Sequence, residues 1–266
     1  MTANFHTHSV FCDGKDTPED IVIKAIEKGF SAIGFSGHGY TDFDLQYCMK
    51  DTDGYIATVS ALKEKYKKDI EIYLGIEEDI FSEVDRGAFD YIIGSSHYIK
   101  ANGKYLSIDS SIEDLKKCLE AFGNDPIRLA NAYYEHLCDY IKRRRPDIIG
   151  HFDLITKFDE MGYPLFLQNE DYNILAEKYI SEAAESGCIF ELNTGAVSRG
   201  IRTGAYPAKN LLYVLKRCDA KMILSSDCHS KESLDFGFEE AKELLRHIGF
   251  RHLYTIRKGE FIKYDI

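Results

Sequence analysis

The sequence lacks several features that would assign it to particular classes of protein. It has no CxxC pair among its seven scattered cysteines, so no disulfide framework is predicted and a reducing cytoplasm is the expected compartment. No hydrophobic run is long enough for a transmembrane helix and no signal peptide is recognisable, so no membrane partner is expected. Basic residues number only 33 against 44 acidic ones, giving a net charge of −11, which disfavours a nucleic-acid partner.

The 266 residues also contain no linker-like or low-complexity stretch, so we predict one domain spanning 1–266. Strand-like runs alternate with helical patterns along the chain, which predicts an α/β fold with a parallel sheet. The pattern gives seven strand–helix units, a helical insertion at about 100–145 and a C-terminal hairpin. A closed or nearly closed barrel is favoured over an open sheet because the candidate ligands described next come from the first and last strands.

Short apolar runs in this chain repeatedly end in residues that can bind a metal ion. The residues at these ends are histidines and carboxylates: His6 and His8, His38, Glu77, His97, His151, and Asp227 with His229. Asp13 follows the first run in a loop. A buried parallel strand whose C-terminal tip faces an active site produces this pattern. Together the runs predict one metal site at one face of a barrel.

The spacing of these residues supports a shared site. His6 and His8 project from the same face of a strand, and Asp227 and His229 repeat that alternation with mixed oxygen and nitrogen donors. Glu77 can join two cations through its two carboxylate oxygens. Any single histidine here could equally be an ordinary buried residue, and only the joint pattern makes that interpretation improbable.

Several residues near the candidate ligands, or elsewhere in the chain, are predicted to have no part in metal binding. Glu78 and Asp79 are predicted to lie in a solvated acidic loop, and Cys228 is predicted to pack on the opposite face of its strand from Asp227. The run Arg143–Arg145 is predicted to end a helix, where cations oppose the helix dipole.

The ordered series resembles the motifs of the polymerase and histidinol phosphatase (PHP) superfamily of metal-dependent phosphoesterases, over nearly the whole chain. Within it, Gly94–Tyr98 and Asp147–Phe158 resemble the histidinol-phosphate phosphatases. The resemblance implies a distorted seven-stranded (β/α)7 TIM-like barrel, with the metal site at the C-terminal ends of the strands. Ser36-Gly37-His38 departs from the pattern, because it lacks the acidic residue that often precedes this histidine.

The resemblance also implies two to three divalent ions, of zinc, manganese or iron. Carried over position by position, it assigns three ligand sets: His6, His8, Glu77 and Asp227 for the first ion, Glu77, His97 and His151 for the second, and Asp13, His38 and His229 for the third.

A phosphate ester also requires positive charge from the protein. The glycine-containing loop Asn193–Arg202 follows the predicted sixth strand, and arginine can bind phosphate through two hydrogen bonds. By resemblance, Arg199 is the candidate for phosphate binding, and Lys157 is a further candidate beside the His151 loop. Arg202 fits a surface position on the turn equally well.

The resemblance implies a phosphomonoesterase that hydrolyses L-histidinol phosphate to L-histidinol and phosphate in histidine biosynthesis. A metal-bridging hydroxide would attack phosphorus, and Glu77, Asp227 and His229 would be the catalytic residues. The partner would then be a small phosphate ester whose ammonium group an acidic pocket would favour. Two alternatives remain open: a PHP-type phosphodiesterase or exonuclease acting on nucleotides or single-stranded nucleic acid, and a metal-binding module without catalysis.

Overall fold

Strands and helices alternate along the chain in the computed structural model, which describes residues 2–82 and 84–266. The strands are β1 (Ala3–Asn4), β2 (Ala32–Phe35), β3 (Glu71–Asp79), β4 (Tyr91–Ser95), β5 (Tyr98–Ala101), β6 (Lys104–Ser107), β7 (Ile148–Ile149), β8 (Ile189–Asn193), β9 (Lys221–Ser225), β10 (His252–Arg257) and β11 (Glu260–Asp265). The helices are α1 (Pro18–Glu27), α2 (Thr52–Lys65), α3 (Ile112–Ala121), α4 (Pro126–Arg144), α5 (Glu170–Ala184), α6 (Gly195–Ser198), α7 (Lys209–Arg217) and α8 (Phe238–Ile248).

The main sheet follows the order β1-β2-β3-β4-β7-β8-β9-β10-β11. Its first seven strands are parallel, as the barrel prediction requires. Strand β10 joins β9 in parallel through the single pair Tyr254–Ile223, and β11 returns antiparallel to β10. The C-terminal hairpin is therefore confirmed, and it raises the strand count of this sheet to nine.

The sheet curls until its two ends meet at the C-terminal rim. Thr7, just after β1, forms a parallel bridge with Cys228, just after β9. The backbone N–H of His8 donates to the carbonyl of Cys228 at 2.9 Å, and the N–H of Cys228 donates to the carbonyl of His6 at 3.3 Å. This pairing places the residues after the first and last barrel strands side by side at one rim.

Apolar residues on or directly next to the strands of this sheet fill the interior below that rim. The members of this cluster are Phe5, Ala32, Tyr73, Tyr91, Ile93, Ile148, Ile189, Ile223 and Ile256. The hydroxyl of Tyr91 donates to the carbonyl of Phe5 at 2.5 Å. A Cβ atom at Gly75 would lie only 2.2 Å from Cζ of Tyr91, so this glycine leaves the space that the ring occupies.

Local sequence explains where the first helix begins and ends. The side chain of Thr17 accepts a hydrogen bond from the N–H of Asp20, and Pro18 occupies the first turn of α1. Gly29 then adopts a positive φ of 73° just after the helix. Ile21 and Val22 are buried on the face that packs against the barrel.

The segment predicted as a helical insertion begins differently from that prediction. Strands β5 and β6 form a hairpin, and only then do α3 and α4 follow. Asn102 and Gly103 both have positive φ, of 51° and 76°, which a two-residue hairpin turn requires. This Asn-Gly signal identifies the hairpin. Among all helices in the described residues, none is both long enough and apolar enough to cross a membrane.

Candidate metal centre

All the predicted ligands lie together at the C-terminal rim, around the carboxylate of Glu77. Its Oε2 atom lies 2.8 Å from Nδ1 of His38, 3.3 Å from Nε2 of His6 and 3.6 Å from Nε2 of His8. Glu77 lies on β3, which has β2 on one side and β4 on the other in the sheet. Its side chain therefore lies between the residues that follow those two strands.

The second oxygen of Glu77 faces a different pair of histidines. Oε1 lies 3.1 Å from Nε2 of His151 and 3.4 Å from Nε2 of His97. These histidines follow β7 and β4, which are adjacent in the sheet. One carboxylate thus contacts two groups of imidazoles through separate oxygens, as expected for a residue shared between two cations.

Asp13 and Asp227 complete the cluster. Asp13 lies 3.1 Å from Nε2 of His229 and 3.6 Å from Nε2 of His38, while Oδ1 of Asp227 lies 3.1 Å from Nε2 of His8. Donor atoms bound to one zinc ion at about 2.0–2.1 Å are separated by roughly 3–3.5 Å. The spacings at this rim are close to that separation. In the described part of the chain, side chains that could hold one ion fall into four groups: His8, Asp13, His38 and His229; His6, Glu77 and His151; His6, His8 and Asp227; and His38, Glu77 and His97. These groups contain the predicted third set and, without Glu77, the predicted first set, but they divide the predicted second set, because His97 and His151 meet Glu77 in different groups.

Four buried atoms show that the cluster suits a cation. Among the described residues, Nε2 of His6, Nε2 of His8, Oδ1 of Asp13 and Oε2 of Glu77 make no hydrogen bond. A buried polar atom without a partner costs about 1–3 kcal/mol. These atoms face one another at the rim, so a divalent cation would satisfy several of them together.

The electrostatics give two of the proposed ligands, Glu77 and His8, the protonation states that metal binding requires. Burial alone would raise the pKa of Glu77, but His6, His97 and His38 outweigh it and hold the pKa well below its usual value. Burial, with the neighbouring His229 and His38, lowers the pKa of His8 to about 3. Glu77 is therefore ionised and His8 is neutral, which are the forms that bind metals. Burial alone would lower the pKa values of His6, His38 and His97, but Glu77 and the other carboxylates beside them outweigh burial and raise those values, so metal binding would displace protons from these imidazoles.

Glu191 on β8 is a buried carboxylate that sequence reasoning missed. It accepts hydrogen bonds from Nδ1 of His6 at 2.9 Å, from the backbone N–H of His151 at 2.6 Å and from Nδ2 of Asn193 at 2.8 Å. Because a carboxylate only accepts, Nδ1 of His6 carries a proton, which leaves Nε2 as the ring atom available to a cation. An acidic residue inside the apolar run of β8 was the signal that could have identified it.

The prediction of a solvated loop at Glu78 and Asp79 is wrong. Strand β3 extends to Asp79, so both side chains are buried. Glu78 forms ion pairs with Arg86, at 2.6 Å, and with Arg144. Asp79 accepts hydrogen bonds from the backbone N–H groups of Phe81 and His97, each at 2.9 Å, and thereby fixes the loop that carries His97.

The arginines of the glycine-containing loop occupy different environments. Nη1 of Arg199 donates to the carbonyl of Asp227 at 2.9 Å, and Nη2 lies 3.2 Å from Oδ2 of the same residue. Arg202 is buried rather than on the surface: it donates to Oγ1 of Thr156 at 3.0 Å and lies 4.4 Å from the ring centre of Tyr206. Arg199, and not Arg202, is therefore the arginine in contact with the predicted ligands.

Asp227 itself has an unusual backbone. Its φ of 45° lies in the left-handed region, which costs a non-glycine residue about 1–3 kcal/mol. The adjacent Cys228 is buried and packs in the apolar layer beneath α1 and α2, as predicted. The strained turn directs the Asp227 carboxylate towards His8 and Arg199 while Cys228 points away.

A cavity of about 260 Å³ opens beside the cluster. Arg199, Glu77 and Asp227 line one side of it, and Lys157 and Asp109 are also in its wall. Lys157 donates to the backbone carbonyl of Asp109 at 2.6 Å and lies 3.1 Å from its Oδ2. The cavity is thus large enough for a small molecule in contact with the carboxylate and imidazole cluster.

Comparison with known proteins identifies the family. Residues 4–195 match the model of the PHP domain. This chain belongs to the PHP domain family. Among PHP relatives, a Schizosaccharomyces pombe protein named "Probable histidinol-phosphatase" is 31% identical, with 97% of this chain and 90% of that protein covered. The histidinol-phosphatase of Bacillus subtilis is 24% identical, with 88% of this chain and 96% of that protein covered.

A solved structure supports the architecture of this PHP chain. The histidinol phosphate phosphatase of Lactococcus lactis, complexed with zinc, L-histidinol and phosphate, superposes with a TM-score of 0.74. The two sequences are 18% identical, and 98% of each chain is covered. At this identity the comparison concerns the fold alone, and it confirms the predicted α/β barrel.

Proposed function

We propose that this protein is a metal-dependent phosphomonoesterase that hydrolyses L-histidinol phosphate to L-histidinol and inorganic phosphate. The observation that carries the proposal is the rim cluster, in which Glu77 contacts five imidazoles and opens onto a cavity lined by Arg199. The named activity of the relatives from Schizosaccharomyces pombe and Bacillus subtilis supports this choice of substrate.

The cluster would hold two to three divalent ions, of zinc, manganese or iron. The ligand sets are those predicted from the sequence: His6, His8, Glu77 and Asp227; Glu77, His97 and His151; Asp13, His38 and His229. When bound, such ions lower the pKa of a water molecule to near neutrality and neutralise the phosphoryl oxygens. Imidazole and carboxylate donors suit all three metals.

The protein's own residues would orient the ester. Arg199 provides a fixed positive charge in the cavity wall, and its guanidinium can bind two phosphate oxygens at once. Its contacts with Asp227 and, at 3.3 Å, with Nδ1 of His229 connect it to the ligand cluster. Arg199, Asp227 and His229 therefore form one hydrogen-bonded group, and His8 lies between this group and Glu77.

Replacing Arg199 with alanine should lower kcat/KM for a phosphomonoester by about 10²–10³-fold, the usual effect of losing one donor to the transition state. Inhibition by inorganic phosphate should weaken in parallel. Steady-state kinetics with phosphate as a competitive inhibitor measure both effects. Arg251→Ala is the matched control, because Arg251 is exposed and precedes β10 at the other end of the barrel. Unchanged phosphate inhibition in R199A would exclude this role.

A substrate panel tests the proposed function. Metal-loaded protein should show its highest kcat/KM with L-histidinol phosphate, lower values with p-nitrophenyl phosphate, and background rates with bis(p-nitrophenyl) phosphate and single-stranded DNA. A preference for either of the last two would replace the proposal with a phosphodiesterase. Absence of hydrolysis with every compound, at full metal content, would indicate a binding protein without catalysis.

A further inference from the structure

The cavity is also lined by residues that take no part in the ligand cluster. We define the distal wall by Thr41, Tyr47, Tyr98, Ser107, Asp109 and Ser110, which come from the loop after His38 and from the hairpin β5–β6 with the residues that follow it. The hydroxyls of Tyr47 and Ser110 lie 3.3 Å apart and connect the two segments. The distal wall is therefore polar and is built by parts of the chain that supply no predicted ligand.

Five carboxylates line the cavity, and four of them are already engaged. Asp13, Glu77 and Asp227 belong to the ligand cluster, and both oxygens of Asp79 accept backbone hydrogen bonds from Phe81 and His97. Among the acidic residues that line the cavity in the described part of the chain, Asp109 is the one that neither belongs to the ligand cluster nor uses both oxygens for backbone hydrogen bonds.

Asp109 retains capacity for a further donor. Its Oδ2 pairs with Nζ of Lys157 at 3.1 Å, while its Oδ1 receives only a long hydrogen bond, of 3.3 Å, from Ser107. A carboxylate can accept about four hydrogen bonds. Burial alone would raise the pKa of Asp109, but Lys157 and His97 outweigh burial and lower it. Asp109 is therefore an anion in the distal wall with an accessible acceptor oxygen.

Lys157 was expected to bind phosphate, but its contacts give it another role. Its ammonium group donates both to the backbone carbonyl and to the carboxylate of Asp109, so it holds that residue in place and its charge is matched internally. Arg199, whose guanidinium lies beside the ligand cluster, is the other lysine or arginine among the described residues that line the cavity, and it is the proposed phosphate-binding group. The cavity lining therefore offers an arginine beside the cluster and, in the distal wall, a carboxylate with one weakly bonded oxygen.

Building on the proposed function, we propose that Asp109 binds the ammonium group of the substrate and selects phosphate monoesters of amino alcohols. Such a substrate carries a phosphate dianion at one end and a cationic amine nearby. Arg199 and Asp109 both line the cavity and offer a guanidinium for the first charge and a carboxylate for the second. Asp109 acts on substrate selection and takes no part in breaking the phosphate ester.

The test compares two substrates that differ only in the amine: L-histidinol phosphate and 3-(imidazol-4-yl)propyl phosphate. The normal protein should prefer the amine. Asp109→Asn should lower kcat/KM for L-histidinol phosphate by about 10- to 100-fold, mainly through KM, since a hydrogen bond to a charged group is lost. Its kcat/KM for the compound without the amine should stay the same. Asp69→Asn, an exposed change of equal charge, should alter neither value.

Two outcomes would overturn the proposal. One is an equal loss with both substrates in D109N, which would make the Asp109–Lys157 pair a purely structural element. The other is a normal protein with no preference for the amine. Should D109N fail to fold, Asp109→Ser carries the test: it also removes the carboxylate, so it should lose the amine preference, and retention of that preference contradicts the role of Asp109.

Failure of the proposed function is distinguishable from failure of this inference. If the protein hydrolyses p-nitrophenyl phosphate but neither imidazole compound, the assignment to L-histidinol phosphate is wrong. O-phosphoethanolamine and ethyl phosphate then replace the substrate pair, and D109N should abolish a preference for the first. Equal activity of the normal protein on these two would reject Asp109 as an ammonium site.

Discussion

Glu77→Gln should reduce kcat/KM by at least about 10³-fold and lower the metal content of the purified protein. Glu77 lies within 2.8–3.6 Å of His6, His8, His38, His97 and His151. Glutamine has one oxygen and no charge, so it cannot serve two cations at once. Bound ions supply several kcal/mol of transition-state stabilisation, and each 1.36 kcal/mol lost is a tenfold decrease in rate.

The adjacent residue offers a matched control for this substitution. Glu78→Gln changes the same chemical group, but Glu78 pairs with Arg86 and Arg144 and contacts none of the predicted ligands. It should lower the free energy of unfolding while leaving kcat and metal content unchanged. Elemental analysis and steady-state kinetics of both variants give the comparison. A Glu77→Gln protein with normal metal content and normal kcat would contradict the central position of this carboxylate.

Removal of divalent ions by dialysis against excess chelator should bring activity to background and lower Tm by about 10 °C. A ligand that binds only the native state at 1,000 times its Kd stabilises by about 4.1 kcal/mol, and each 1 kcal/mol shifts Tm by about 2–4 °C for a chain of this size class. The four buried atoms without hydrogen bonds at the rim are the reason to expect lower stability when no ion is bound. Activity should return on addition of Mn²⁺, Zn²⁺, Fe²⁺ or Co²⁺.

Thermal unfolding and activity assays on the same samples check this expectation. Chelator saturated with the same metal is the control, because it keeps ionic strength and additive constant while leaving the ions bound. Full activity and an unchanged Tm after exhaustive dialysis would show that the rim cluster works without metals, and would remove the proposed mechanism.

The sequence predicted the position of the cluster well because parallel strands obey a simple rule. Side chains at their C-terminal tips meet at one edge, so His6, Glu77 and Asp227 could be placed together although they are remote in the chain. The barrel and its C-terminal hairpin follow from the same alternation of strands and helices.

Other features depend on tertiary contacts that no local pattern contains. The sequence of Glu78 and Asp79 is typical of a solvated loop. In the structure β3 extends through both residues, and Arg86 and Arg144 form ion pairs with Glu78. The proposed role of Asp109 follows only from the cavity, which Asp109 lines together with residues distant in the sequence. Burial of Arg202 depends likewise on Asp153, Thr156 and Glu160, which come from another part of the chain. A charged residue is normally predicted to lie on the surface. That prediction is wrong where the fold places an oppositely charged residue beside it in the interior.

The backbone pairing of Thr7 with Cys228 has a consequence for biosynthesis. Residues near the beginning of the chain and residues near its end must dock before His6 and His8 stand beside Asp227. A polypeptide still emerging from the ribosome therefore has histidines exposed but no complete chelating pocket. Binding of an ion by His6, His8, Glu77 and Asp227 would therefore follow synthesis of the whole barrel, and it would report that the amino-terminal and carboxy-terminal thirds of the molecule have joined.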